Sequence, residues 1–336
     1  MAIVYIEGFD LVGSTDDIEF KGAQNAEGNY LPTGGINGGG ALQLDTDDNV
    51  VLAIARPAIT YTTISFWFKT ISLSSAAFFV STYDDLTVFS TVEADKHMSL
   101  LYNTEGKITL YGDSQVFIAQ SVASVLVANT WHHIEILTHR SSSGNTEVFV
   151  DGISVMDEAG DFHEGNLASS VVFNGVATGH NYDDIVIQED GASQPAALGF
   201  HEIEALLPDG AGTNSAWTGT FADVDDPLTA SSDGDSTYIS ESVLNDKHDF
   251  TLDDLSGSPT TIHAIQQVIE ARKDDAGIRS VTPFIISNAV TGNGTEVDLF
   301  QPYVVQTDIF ELDPDGAVAW DTASVNALQA GVEITT

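Results

Sequence analysis

Hydrophobic and polar positions alternate along this chain in short runs, and Gly, Asn, Asp and Ser interrupt the runs every few residues. Such a pattern reads as successive β-strands of a sandwich or barrel. The clearest strands are expected at Ala41–Leu44, Thr63–Thr70, Ala77–Ser81, His97–Tyr102, Lys107–Tyr111, His132–Thr138, Glu147–Val150 and Asp184–Gln188. Successive strand residues point to opposite sides of a sheet. In Thr63–Thr70 this puts Ile64, Phe66 and Phe68 on one face and Ser65, Trp67 and Lys69 on the other. Glu147–Val150 runs into Asp151-Gly152, a dipeptide that favours a two-residue hairpin, and Ile153–Val155 supplies the return strand. The glycine-rich run Gly34–Gly40 is followed by neither Lys-Ser/Thr nor a helical pattern. It reads as a flexible or close-packed turn, not a phosphate cradle.

A break in the pattern divides the chain. Gly191–Ala197 is small, carries one proline, and marks a linker over 191–200 between a domain at 1–190 and another at 201–336. His201–Leu207 alternates again and opens the second β pattern, and Thr229–Thr237 is expected as a long polar loop. Thr261–Lys273 fits a helix through Ile262, Ile265, Gln266 and Ile269, and a strand face through His263, Ile265, Gln267, Ile269 and Ala271. The strand is preferred, because Asp274–Gly277 then turns into Ile278–Ile286 as a hairpin. Asn326–Ala330 is expected as a short helical turn.

Composition narrows the function classes. The chain has 336 residues, long enough for two domains, and 43% are hydrophobic, enough to bury a core. Ten basic residues face 50 acidic ones, for a net charge of −40. A surface of that sign repels phosphate backbones and anionic membranes, which argues against nucleic-acid partners. No apolar run approaches the roughly 20 residues of a membrane span, and the first residues lack the basic and apolar regions of a secretory signal. Synthesis in a cytoplasm is therefore expected. The absence of cysteine excludes disulfides, thiolate metal sites and cysteine nucleophiles.

Four pieces in order carry a resemblance: Gly38–Leu44, Ile64–Lys69, Trp131–Ile136 with Val148–Gly152, and Tyr182–Ile187. Together they make the first half resemble the concanavalin A-like lectin/glucanase sandwich of the laminin-G-like superfamily. Further pieces extend the likeness: Leu207–Trp217, Asp235–Ser240, Ala271–Gly277, Asp313-Pro314 with Ala319-Trp320, and Val325–Val332. The whole is similar to tailed-phage virion proteins in which a lectin-like domain precedes a second β domain. The resemblance implies an all-β chain, with an N-terminal concanavalin A-like jelly-roll sandwich and a C-terminal β-sandwich domain. It implies a virion structural protein on the particle surface, as a head decoration or fibre or a tail appendage. Its partners would be other capsid or tail proteins and further copies of itself, as a homo-oligomer such as a trimer. The alternative is a carbohydrate-binding module that attaches to host-surface glycans; a glycan hydrolase ranks third.

Individual residues bear on these readings. The glucanase relatives use a Glu-x-Asp-x-(x)-Glu strand whose carboxylates share a face, and no such triplet occurs here, so no catalytic residue is assigned. Glu202 and Glu204 share a strand face but have no third partner. His132 and His133 are adjacent, so a strand points them to opposite sides and they cannot chelate one ion; one is expected packed and one exposed. Tyr83, Tyr182 and Trp217 lie in polar, loop-like contexts and are the candidates for stacking on sugar rings. Acidic clusters occur at Asp45–Asp48, Asp84-Asp85, Asp183-Asp184, Asp223–Asp226 and Asp233–Asp235. No cofactor is required, and Asp183 with Asp184 is the candidate calcium pair, since calcium takes several loop oxygens.

Overall fold

A computed structural model describes residues 2–9, 23–26, 28–45, 48–53, 60–83, 96–162, 170–226 and 233–336. The chain is nearly all β and divides into two compact units, Met1–Ile203 and Glu204–Thr336. Among the described residues no helix is long and apolar enough to cross a membrane. Asp84-Asp85, parts of the Asp45–Asp48 cluster and part of the loop expected over Thr229–Thr237 lie outside the described residues.

The first unit is a sandwich of two antiparallel sheets. One runs in the order Ile153–Gly160, Gly144–Val150, His132–His139, Tyr61–Thr70, His180–Asp190, Ala41–Leu44, Asn29–Leu31, with Ala2–Glu7 also pairing to His180–Asp190. The other runs Phe117–Gln120, Ile108–Tyr111, Lys96–Tyr102, Ala77–Tyr83, Ser170–Asn174, Asn49–Ala53, Ala23–Ala26. Alternation places Ile64, Phe66 and Phe68 in the space between the sheets, where they meet Phe79, Tyr102, Phe173 and Tyr182. Phe68 stacks on Phe79 at 4.7 Å, and Phe66 meets Phe173 edge-on at 5.1 Å. The expected hairpin is present: Asp151 and Gly152 both have positive φ, at 51° and 75°, and Val150 pairs with Ile153. The Gly34–Gly40 turn is closed by backbone bonds from Gly34 to Leu31 and from Gly35 to Gly39.

The second unit sets a six-stranded sheet, ordered Pro208–Ser215, Lys247–Leu252, Gln329–Ile334, Ser280–Ser287, Val290–Asn293, beside a two-stranded sheet of Ile265–Ala271 and Val304–Phe310. Val297–Asp298 pairs with Ser280–Ser287 as well. The core is two small clusters, one around Ile285, Trp320, Val325 and Leu328, the other around Val281, Leu299 and Ile334.

Three local expectations are corrected. Ile265–Ala271 is a strand, but it pairs with Val304–Phe310, so Asp274–Gly277 is a crossover and not a hairpin turn. The short helix is Thr322–Asn326, four residues earlier than read, because Asp321 caps it by accepting from the Ser324 N–H at 2.8 Å. Gln329 then begins a strand. His201–Leu207 forms no strand: its first residues lie along the first unit, and regular pairing resumes at Pro208.

Candidate functional site

The outward face of the first sheet carries polar side chains in register. Glu135 pairs across to Ser65, and His133 to Trp67, on neighbouring strands. Each of Ser65, Trp67, His133 and Glu135 alternates with a core residue, so the period that builds the core also assembles this row. Over the row lies residues 194–203, the segment read as linker and strand opening, which acts as a strap. Gln194 Nε2 donates to Thr62 O at 3.2 Å and Thr63 Oγ1 at 3.1 Å. The Glu135 carboxylate accepts from Leu198 N–H at 2.7 Å and Gly199 N–H at 3.2 Å. Trp67 Nε1 donates to His201 O at 3.0 Å, and Ile203 N–H donates to Asp184 Oδ1 at 3.2 Å. Phe200 stacks on Trp67 at 5.8 Å between centroids and 26° between planes.

Beneath the strap Ser65, His133 and His201 converge. His133 Nε2 lies 3.1 Å from Ser65 Oγ and 3.2 Å from His201 Nδ1, while His201 Nε2 donates to Asp184 O at 2.8 Å. Burial pulls His133 down to about 3, His201 reinforcing this and Asp151 opposing it. Its Nδ1 is buried without a hydrogen-bond partner. A serine–histidine pair needs a histidine basic enough to take the proton and a third group to orient it. His133 has neither, and Ser65 is fully buried. The arrangement is a clasp for the strap rather than a nucleophile.

Of the residues singled out from sequence, His133 and Asp184 lie at this clasp, and the aromatic candidates do not join them there. Tyr182 is fully buried in the core, where its hydroxyl donates to Phe79 O at 2.7 Å and Asn174 O at 2.8 Å, so it cannot stack on a sugar. Tyr83 ends the Ala77–Tyr83 strand and is half-buried. Trp217 lies in the second unit, packed against Val281, Leu299 and Ile334, with Nε1 donating to Asp246 O at 3.1 Å. Asp183 and Asp184 are buried, and their carboxylates accept backbone N–H groups: Ile36 and Asp184 on Asp183, Ile203 on Asp184. Among the described residues no group of three or more His, Asp or Glu side chains could hold a metal ion. His132 and His133 do face opposite ways, but both are buried, which corrects the expectation of one exposed ring. His132 is held by Asp151 Oδ2 at 2.7 Å and accepts from Val127 N–H at 3.0 Å. Sequence reasoning missed the pairing of His133 with His201, because nothing local links positions 68 residues apart.

A two-sheet antiparallel sandwich with this strand arrangement is a lectin-type fold. Residues 43–187 match the family model described as the concanavalin A-like lectin/glucanases superfamily, and the first unit contains a domain of that superfamily. Among solved structures, a galectin-like protein of unknown function from Bacillus subtilis is similar at 12% identity, covering 56% of this chain and 96% of that one, with a TM-score of 0.41. The alginate lyase Aly36B is similar at 11% identity over 55% of this chain and 95% of that one, with a TM-score of 0.36. The binding domain of botulinum neurotoxin serotype D, solved with N-acetylneuraminic acid, is similar at 14% identity over 51% of this chain, with a TM-score of 0.37. The match spans only 43% of that neurotoxin domain. Likenesses of this size carry no argument about ligand or activity. No curated protein matches the chain.

Proposed function

We propose that this chain is a non-catalytic structural component of a bacteriophage particle surface, acting by assembly with other virion proteins. The observation that carries the non-catalytic reading is the strap: residues 194–203 cover the polar row of the lectin-type sheet, and Glu135 serves as acceptor for the strap's N–H groups. A carboxylate so engaged is not placed to protonate a glycosidic oxygen. Support for a virion role comes from the ordered motifs of both halves and from a net charge of −40, which keeps crowded copies apart. Attachment to host-surface glycans is the second reading, and the lectin-type domain favours it.

Two measurements decide between these readings. Incubation with β-glucans, agar-type and capsular polysaccharides and alginate is expected to release no reducing ends or unsaturated products. Release that a single carboxylate substitution abolishes would overturn the non-catalytic reading. Immunogold labelling of purified particles is expected to mark the surface at regular positions; unlabelled particles together with a specific hit on a glycan array would replace the structural role with attachment.

A further inference from the structure

The second unit bears an exposed surface that its own core does not use. Arg272–Arg279 links the Ile265–Ala271 and Ser280–Ser287 strands, and Leu299-Phe300 lies beside it. Lys273 N–H donates to Phe300 O at 2.9 Å, and Leu299 N–H donates to Arg279 O at 2.8 Å. On this surface Ile278 is 74% exposed and Phe300 56% exposed. Both are large apolar side chains standing in water, and neighbouring ones mark interaction surfaces.

The charges around them are unlike the rest of the molecule. Arg272, Lys273 and Arg279 fall within eight residues of a chain that has only ten basic residues against 50 acidic ones. Arg272 is held by Asp235 at 2.7 Å and lies over the Tyr303 ring, whose hydroxyl donates to the same Asp235 oxygen at 2.8 Å. Arg279 meets Asp275 at 3.0 Å. Lys273 Nζ donates to a carbonyl, that of Gly277, and among the described residues pairs with no carboxylate. Cations and carboxylates therefore nearly cancel here, on a fixed frame, while the chain as a whole stands at −40. Two such chains repel one another over most of their surface. Where the charge cancels and apolar groups stand out, approach costs least and burial gains most.

We propose that the face formed by Ile278, Phe300 and the Arg272–Arg279 segment is where a second copy of this chain docks. The proposal rests on the assembly reading above and names one of its partners. It gives the self-contact a defined place, with Ile278 and Phe300 as the buried anchors and Lys273 as the cation that turns from the Gly277 carbonyl to a carboxylate of the other copy.

Sedimentation velocity on the full chain tests it, at about 0.1 M salt, where charges more than about 10 Å apart are largely screened. The wild type is expected to self-associate at tens of micromolar, about the strength of a weak specific contact. Ile278→Asp and Phe300→Ser should each weaken association at least about tenfold with an unchanged circular-dichroism spectrum, a loss in the range of interface anchors. Lys273→Glu should weaken it more at low salt than at high salt. Val122→Asp, which changes a 96% exposed apolar residue of the first unit, should leave the mass unchanged. A wild-type monomer at every salt concentration overturns the proposal, as does an equal effect of Val122→Asp or none from Ile278→Asp and Phe300→Ser. Particle labelling fails or succeeds independently of these masses, so loss of this contact and loss of the virion role are told apart.

Discussion

His180 shows how a polar residue is kept in an apolar core. Its Nδ1–H donates to Asn174 O at 2.6 Å, and its Nε2 accepts from the Tyr102 hydroxyl at 2.8 Å. Thr70 Oγ1, 3.1 Å from that hydroxyl, donates onward to Ser72 O at 2.9 Å. Every ring nitrogen thus has a partner suited to the neutral imidazole, and a proton added at Nε2 would break the Tyr102 bond. Burial pulls His180 down to about 4, with the Asn174 carbonyl opposing the shift. A histidine with lowered affinity in the fold is protonated more readily in the unfolded chain, whose value is about 6.5. Its contribution is therefore complete above about pH 6.5 and is lost as the pH falls toward about 4. That window holds roughly 3 kcal/mol, at about 1.4 kcal/mol per tenfold change in proton affinity. Urea midpoints at pH 7 and pH 4.5 for the wild type and His180→Gln check it. Carboxylates titrate alike in both proteins, so the variant should show the smaller acid loss; equal losses would remove His180 from the account.

The strap is the element that distinguishes this sandwich. Its hold combines the Glu135 carboxylate, the Trp67–Phe200 stack and the His201 ring, and Gly199 supplies the left-handed φ of 72° that brings its N–H and that of Leu198 onto one carboxylate. In Glu135→Gln an amide replaces a charged acceptor, and hydrogen bonds to charged groups contribute about 1.5–3 kcal/mol. Amide hydrogen exchange at Leu198 and Gly199 should quicken by one to two orders of magnitude, roughly the factor such a loss implies. Unchanged protection would show that the Trp67–Phe200 stack and the bonds of Gln194, His201 and Ile203 hold the segment without Glu135. Much of this sheet was legible in sequence, because Ile64, Phe66 and Phe68 repeat at period two and Asp151-Gly152 announces its turn. The strap was not, because His201, Ile203, Ala205 and Leu207 alternate as a strand does, while what fixes His201 lies on distant strands. Tyr182 was misread for a different reason. The bulge at Asp183–Val186, with Asp184 at φ 46°, shifts the alternation, so Tyr182, Ile185 and Ile187 all face inward and the polar residues between them resemble a loop.

At the scale of the whole chain, the division at Ile203–Glu204 assigns the strap to the first unit, not to a tether. The main apolar cluster, from Phe9 to Ile187, lies entirely within that unit, as do both partners of every strap bond described above. Residues 1–203 should therefore fold alone, with a cooperative thermal transition. A fragment ending at residue 193 keeps the same cluster but bares Trp67, Ser65, His133 and Glu135. It loses the Phe200 contact and the hydrogen bonds from Gln194, Leu198, Gly199 and Ile203. Phe200 stays 62% exposed, so its contact contributes well under the about 1.5–3 kcal/mol of a fully buried side chain, and each hydrogen bond contributes about 1 kcal/mol, less the entropy of ordering the segment. A net loss of a few kcal/mol lowers the Tm of a unit of this size by roughly 5–15 °C. Calorimetry on the two fragments measures that difference directly. Equal Tm values would mean that the strap rests on the sheet without stabilising it, and the sheet face would then be open to a ligand at little cost. A drop of the expected size would instead make 194–203 part of the fold, and any glycan adhesion by this unit would have to use another surface.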